Sequence, residues 1–327
     1  MHWVLQNNLF SEPGFQRLLD ALERLGIPHS MHKVVPFVGD LVPEPDLPDD
    51  ANIITIGSYS MGNYARRKGW QPGALDSDNL DYEKQLPHWG TRMLNSDALV
   101  CRFADVPQQI APFFIRPTLD SKSFSGTVMD WADFSDWQQR VLNIGIDSGA
   151  TLDADTLVMV CRAKTIYREY RLWVVDSKIV TASLYKEGHR VHYSDRVDQR
   201  VLDYASGLLG FNNWEPARAY VLDICECDEP GEFRIIEAGC MSAAGFYAAD
   251  MQKIVMALET AMSHVCWAAM QDEGGGSYMK WHPKEVCYGE VAPATDSGDY
   301  SCEGHHYVLW GKEYIPLEEG SKPSPRS

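Results

Sequence analysis

The chain has 327 residues, with 29 basic and 46 acidic side chains and a formal net charge of −17. Hydrophobic residues make up 45% of it, including 10 Trp, 11 Phe and 15 Tyr, which is enough to build a core and excludes global disorder. The acidic balance excludes a broad binder of nucleic-acid backbones, which needs a basic face.

The length suits two or three packed domains. No apolar stretch approaches bilayer thickness, so no membrane association is expected. The opening MHWVLQNNLF lacks the basic start and long apolar run of a secretion signal. Cysteines at 101, 161, 225, 227, 240, 266, 287 and 302 form no closely spaced CxxC units. Cys225 and Cys227 share a strand face, but a zinc site needs two more convergent ligands. The cysteines are therefore read as small buried residues in a reducing cytoplasm.

In chain order, residues 3–10 are predicted as a strand and 12–25 as a helix. Pro13 suits an early helical position, Phe15, Leu18, Leu19, Leu22 and Leu25 form an apolar stripe, and Gly26 ends it. Strands at 30–36 and 53–57 complete a small α/β region. The Pro-rich segment 36–48 reads as a loop. GSYSMG at 57–62 follows a strand, where sheet edges often meet ligands, but its spacing matches neither a P-loop nor a dinucleotide-binding turn.

From Ser96 onward the pattern becomes α+β, with short strands at 111–116, 127–128 and 157–161. Strands at 169–175 and 179–185 flank an Asp176-Ser177-Lys178 turn. AYVLDICECDEPGEFRIIE, residues 219–237, reads as a second hairpin turned by Asp228, Glu229, Pro230 and Gly231. A helix is predicted over 248–270 from the spacing of Ile254, Leu258, Ala261 and Val265. Residues 321–327 are predicted as a mobile tail. The expected organisation is an α/β domain at 1–95, an α+β module at 96–270 and a C-terminal extension at 271–327.

Several residues have the chemistry of a site. Asp223 interrupts one strand of the second hairpin and Glu237 ends the other. Carboxylates beside Val, Leu and Ile are costly to bury unless paired or bound to a cation, so Mg²⁺ beneath phosphate oxygens is one reading. A position on the wet face of a half-buried strand is the other. Arg116 ends the apolar run FFIR, an awkward place for a charge unless it opens into a cleft. Lys122 and Ser123 lie in a Ser/Gly loop that reads either as a cover for anionic oxygens or as an exposed polar hairpin. Glu169 and Arg171 share one strand face and can present an acceptor for ribose hydroxyls and a donor for phosphate, or form cross-strand ion pairs. Lys164 points to phosphate, to an adenine edge or to solvent. His305 and His306 would face opposite ways in a strand and stay unassigned.

FIRPTLDSKSFSG at 114–126, K-x4-E-Y-R at 164–171, SLY at 183–185, and VLDIC followed by RIIEAGCMSAAGFYAAD within 221–250 carry a resemblance. In these segments the chain resembles the ATP-grasp superfamily, and more closely the clade distinguished by two arginines and a lysine. The resemblance implies an ATP-grasp fold of two α+β lobes, preceded by a small α/β domain. It also implies ATP and Mg²⁺ as cofactors and an ATP-dependent carboxylate-amine ligase working through an acylphosphate. The alternatives are a kinase or transferase and a catalytically weak, nucleotide-responsive binding protein. Carried over by position, Arg116, Lys122, Ser123, Lys164, Glu169 and Arg171 look like nucleotide contacts. Arg116, Lys122 and Arg171 would serve catalysis, and Asp223 and Glu237 resemble the metal carboxylates. Small-molecule or peptide carboxylates and amines are the implied substrates, and a protein partner is compatible with this reading. The family's usual E-x-N is here Glu237-Ala238-Gly239, so one customary oxygen is missing.

Overall fold

The computed structural model describes residues 1–8, 14–36, 38–48, 51–118, 124–144, 152–228, 231–262, 265–271, 277–283, 299–302, 305–310 and 313–317. Lys122 and Ser123, and the segment 321–327 expected to be mobile, lie outside them. The chain forms two compact units, residues 1–75 with 250–327, and residues 76–249.

The first unit opens with β1 (His2–Gln6), α1 (Phe15–Arg24), β2 (His29–Val34), β3 (Leu41–Val42), β4 (Asn52–Ile56), α2 (Tyr59–Lys68) and β5 (Gln71–Gly73). The sheet order is β3-β2-β1-β4-β5, parallel except for the β2–β3 pair. The apolar stripe of α1 buries Leu18, Ala21 and Leu22. GSYSMG is a close strand-to-helix turn in which Ser58 precedes α2 and donates its backbone N–H to Gln6 Oε1 at 2.8 Å. An added Cβ at Gly57 would lie 2.7 Å from Gln6 Cβ, so only glycine fits.

His2 is held at Ser30 Oγ, 2.9 Å away, which His32 also contacts at 2.8 Å. Burial, reinforced by His29, His32 and the terminal amine, lowers the His2 pKa from 6.5 to about 4. As the pH falls, the unfolded chain therefore binds this proton first. The contribution to stability is full above about pH 6.5 and is lost towards pH 4. A lower urea midpoint for this unit at pH 5 than at pH 7 is expected, and His2→Asn should flatten that difference.

The second unit begins with α3 (Tyr82–Trp89), β6 (Leu99–Arg102), β7 (Phe113–Pro117), β8 (Thr127–Met129), α4 (Trp131–Ile144) and β9 (Leu157–Arg162). These strands make an antiparallel sheet, β6-β9-β7-β8, with Phe103, Phe113, Ile115, Phe134, Val158 and Val160 in its core. The chain then forms β10 (Ile166–Val175), β11 (Lys178–Glu187), β12 (Arg190–Ser194), α5 (Gln199–Ser206), β13 (Ala219–Cys227) and β14 (Phe233–Gly239). These strands form a second antiparallel sheet, β12-β11-β10-β13-β14. Asp176 and Ser177, with φ of 46° and 58°, adopt the left-handed pair that a tight two-residue hairpin requires. One face of this sheet packs Tyr170, Leu172 and Val174 with Tyr220, Leu222 and Ile224. The period-two alternation leaves Glu169, Arg171 and Asp223 on the other face.

The chain returns to the first unit as α6 (Met251–Met262), β15 (Val265–Gln271), β16 (Ser277–Pro283), β17 (Asp299–Cys302), β18 (His305–Trp310) and β19 (Glu313–Leu317). The helix expected over 248–270 therefore ends at Met262. Val265 continues the helical spacing, but its segment spends its backbone hydrogen bonds on an antiparallel ladder with β16, and periodicity over a short apolar run does not separate the two states. β17, β18 and β19 form a meander. Among the described residues, no helix is long and apolar enough to cross a membrane.

Candidate functional site

A cleft of about 490 Å³ is lined from both sheets of the 76–249 unit, with Arg116, Lys164, Glu169, Lys186, Asp223 and Glu237 among its walls. Two register shifts place two of these groups, Glu237 and Lys186. β13 and β14 pair Asp223 with Glu237 but Ile224 with Ile235, so β14 carries one extra residue. Ile235 and Ala238 stay in the core while the consecutive Ile236 and Glu237 both line the cleft. β10 and β11 repeat the device, pairing Glu169 with Lys186 but Tyr170 with Leu184. Leu184 stays in the core while Tyr185 and Lys186 line the cleft. A β-bulge reverses the strict in-out alternation of a strand and re-aims the side chains beyond it.

The charges at the cleft are paired. Arg171 is opposite Asp223 in the β10–β13 register. It donates from Nε to Oδ1 at 2.8 Å and from Nη2 to Oδ2 at 2.7 Å, a buried bidentate pair. Arg116 Nη1 donates to Glu237 Oε2. Glu169 accepts from Lys186 Nζ at 2.6 Å and from the Tyr185 hydroxyl at 2.8 Å. Lys164 Nζ donates to Asp97 Oδ1 at 2.6 Å and Asn95 Oδ1 at 3.4 Å.

Burial pushes the Asp223 carboxyl up and Arg171 opposes it. Burial also works against the Arg171 charge, but the attraction and hydrogen bonds of Asp223 outweigh it, and the guanidinium pKa lies above its ordinary value. The pair is ionic, because a guanidinium does not deprotonate in a protein and the two-point geometry is that of a carboxylate. Burial, together with the Asp223 and Glu169 charges, raises the Tyr185 phenol well above its usual value, so it remains a donor to Glu169.

The donor set suits a divalent cation of the hard, oxygen-seeking kind. Asp223 and Glu237 face each other across adjacent strands, and Mg²⁺ characteristically takes one or two carboxylates and completes its shell with phosphate oxygens and water. No cluster of three or more His, Cys, Asp and Glu side chains placed to hold a metal occurs among the described residues, so the remaining oxygens must come from ligand and solvent. Gly239 follows on the same face and brings no side-chain oxygen. A Cβ there would meet Val221 Cγ2 at an ordinary 3.5 Å, so the position has room for a side chain.

Arg116, Lys164, Glu169, Asp223 and Glu237 thus come together in one cleft, and Arg171 joins them through Asp223. Asn95, Tyr185 and Lys186 are site residues that the sequence pattern does not single out. For Lys186 there is no local signal, since simple alternation from Leu184 sends it to the core face. For Tyr185 the SLY triplet beside K-x4-E-Y-R is the available clue.

Two antiparallel sheets meeting at one charged cleft, with Asp223 and Glu237 side by side on one sheet and Arg116 on the other, fit an ATP-grasp fold. The chain belongs to the ATP-grasp family: the ATP-grasp domain of family 3 in the clade distinguished by two arginines and a lysine matches residues 36–258. No curated protein matches it in sequence. Among solved structures, the D-cycloserine synthetase DcsG is similar with a TM-score of 0.52 at 14% identity, covering 80% of this chain and 99% of that one. The L-amino acid ligase from Bacillus licheniformis has a TM-score of 0.51 at 11% identity, covering 80% of this chain and 74% of that one. At these identities the likeness is one of fold.

Proposed function

We propose that this protein is an ATP- and Mg²⁺-dependent carboxylate-amine ligase acting on small-molecule or peptide substrates. The observation that carries the reading is the in-register Asp223–Glu237 pair on the floor of a cleft that also holds Arg116, Lys164 and Lys186. Asp223 and Glu237 would hold Mg²⁺, which would supply charge neutralisation for the transferring phosphoryl group. Arg116 and Lys164 hold and neutralise the phosphates, and by the resemblance in sequence Lys122 and Ser123 share that task. Glu169 accepts from ribose hydroxyls, and Arg171 orients the anionic reaction partner.

A substrate carboxylate oxygen attacks the γ-phosphorus as the bond to the bridging oxygen breaks, giving an acylphosphate and ADP. An amine then attacks the acyl carbon, phosphate leaves, and the amine gives up its proton. Positioning and electrostatics carry such a transfer, so no Ser-His-Asp triad is needed. Incubation with Mg-ATP and pools of carboxylates and amines should release ADP and phosphate together with a product of condensation mass. Release of AMP, or a stable phosphorylated product, would reject this reaction.

Gly239 favours a second reading, a nucleotide-responsive binding protein with weak turnover, because a customary oxygen is missing. The two readings separate on Gly239→Asn. If the missing oxygen limits the metal, this variant should tighten Mn²⁺ binding in the presence of ADP by about tenfold, as measured by calorimetry. An unchanged affinity would show that phosphate and water already complete the shell.

A further inference from the structure

Tyr247 stands apart in backbone conformation. Its φ is +48°, and the other non-glycine residues with positive φ among the described residues are Asp, Ser and Asn, which tolerate the left-handed region through short polar side chains. A bulky aromatic residue there is strained, and such strain persists where the surrounding structure imposes it.

The surroundings show what the strain achieves. The Tyr247 ring stacks with those of Tyr185 and Tyr193, with centroids 4.8 and 5.1 Å away and both interplanar angles 22°. The Arg171 guanidinium carbon is 4.8 Å from the Tyr247 centroid and 5.7 Å from that of Tyr185. The same segment supplies the Gly245 carbonyl, which accepts from Arg171 Nη1 at 3.4 Å. Asp223 takes Nε and Nη2. Nε, Nη1 and Nη2 of the guanidinium are thereby all engaged and its face is packed on rings. The Tyr185 hydroxyl carries the arrangement on to Glu169.

We propose that Tyr247 is the positioning residue for Arg171, fixing the guanidinium on Asp223 by ring stacking in a backbone conformation that its own side chain disfavours. The proposal rests on the ligase reading for Arg171's task, the orientation of an anionic reaction partner. Holding a flexible side chain in its working geometry beforehand removes an ordering cost from the reaction. Tyr247 itself need not touch substrate.

The test compares Tyr247→Asn, which keeps the left-handed backbone accessible and removes the ring, with Tyr247→Phe, which keeps the ring. The ¹H–¹⁵N signal of Arg171 Nε, assigned by its loss in Arg171→Lys, reports ring current and the Asp223 hydrogen bond without any turnover. Tyr247→Asn should shift and broaden this signal and lower kcat about tenfold, with KM for ATP changing less than about twofold, in line with the loss of a cation–π contact. Tyr247→Phe should restore both. An unchanged Arg171 signal in Tyr247→Asn would overturn the proposal. So would a Tyr247→Asn protein that does not fold, which would make the ring a structural element only, or a moved signal with unaltered kcat. Wild-type protein without turnover would sink the ligase reading and leave the spectroscopic comparison standing.

Discussion

Asp223→Ala should destabilise the 76–249 unit by about 3–5 kcal/mol, the usual cost of leaving one partner of a buried ion pair alone. Arg171 and Asp223 have side-chain exposures of 12% and 5%, so little water is at hand to replace the lost carboxylate. The neighbouring contacts do not replace it either. The Gly245 carbonyl reaches only Nη1, and the tyrosine rings offer faces rather than acceptors. Urea unfolding of the full chain, followed through the transition of this unit, measures the loss. The double variant Asp223→Leu with Arg171→Met should recover most of it, because two apolar side chains of similar size carry no desolvation cost. A single-variant loss under about 1 kcal/mol would mean that the pair lies in a far wetter environment than its contacts indicate.

Glu237→Gln should behave in the opposite way. Its partner Arg116 is 17% exposed and Glu237 itself 33%, so the lost ion pair should cost no more than about 1 kcal/mol of stability. Turnover should fall on the order of 10²-fold, since Gln keeps the size of Glu and one acceptor oxygen but not the charge opposite Asp223. ADP release across a Mg²⁺ series is the measurement, and the apparent metal affinity should weaken with the rate. Unchanged catalysis with unchanged Mg²⁺ dependence would remove Glu237 from the metal floor. The two carboxylates, equivalent in the hairpin pattern, thus part company: Asp223 carries a structural ion pair besides its place on the floor of the cleft, and Glu237 carries little stability.

That division depends on what surrounds each carboxylate, which the sequence pattern carries only in part. Apolar runs and turn chemistry suffice to place β10, β11, β13 and β14, because each run is rich in strand-forming residues and is bounded by residues such as Asp176, Ser177, Asp228 and Gly231 that take the required φ. Glu169 and Arg171, two apart, have to share a face, and they do. Spacing alone does not decide between ligand contacts and cross-strand pairs, and the side chains stand in such pairs with Lys186 and Asp223. Nothing local matches Arg171 with Asp223, because register between strands far apart in sequence is fixed by the packing of the opposite face. Lys186 is hidden by its bulge, and Tyr247 by a backbone conformation that no property of tyrosine announces. The overlong C-terminal helix has a similar origin, since the partner strand that captures Val265–Gln271 is invisible to a local periodicity.

The extra residue in β14 makes residue count a part of the chemistry. Strict alternation from Ile235 would turn Glu237 into the layer of Leu222, Ile224 and Ile235, where an unpaired carboxylate is prohibitive, and the extra residue is what keeps it in the cleft. Tyr185 and Lys186 impose the same arithmetic on β11. Both strands can accept many changes of side chain on their cleft face, yet straightening either bulge would send a charged group of the floor into the apolar layer without altering any residue. The cleft is specified by a count as much as by a composition.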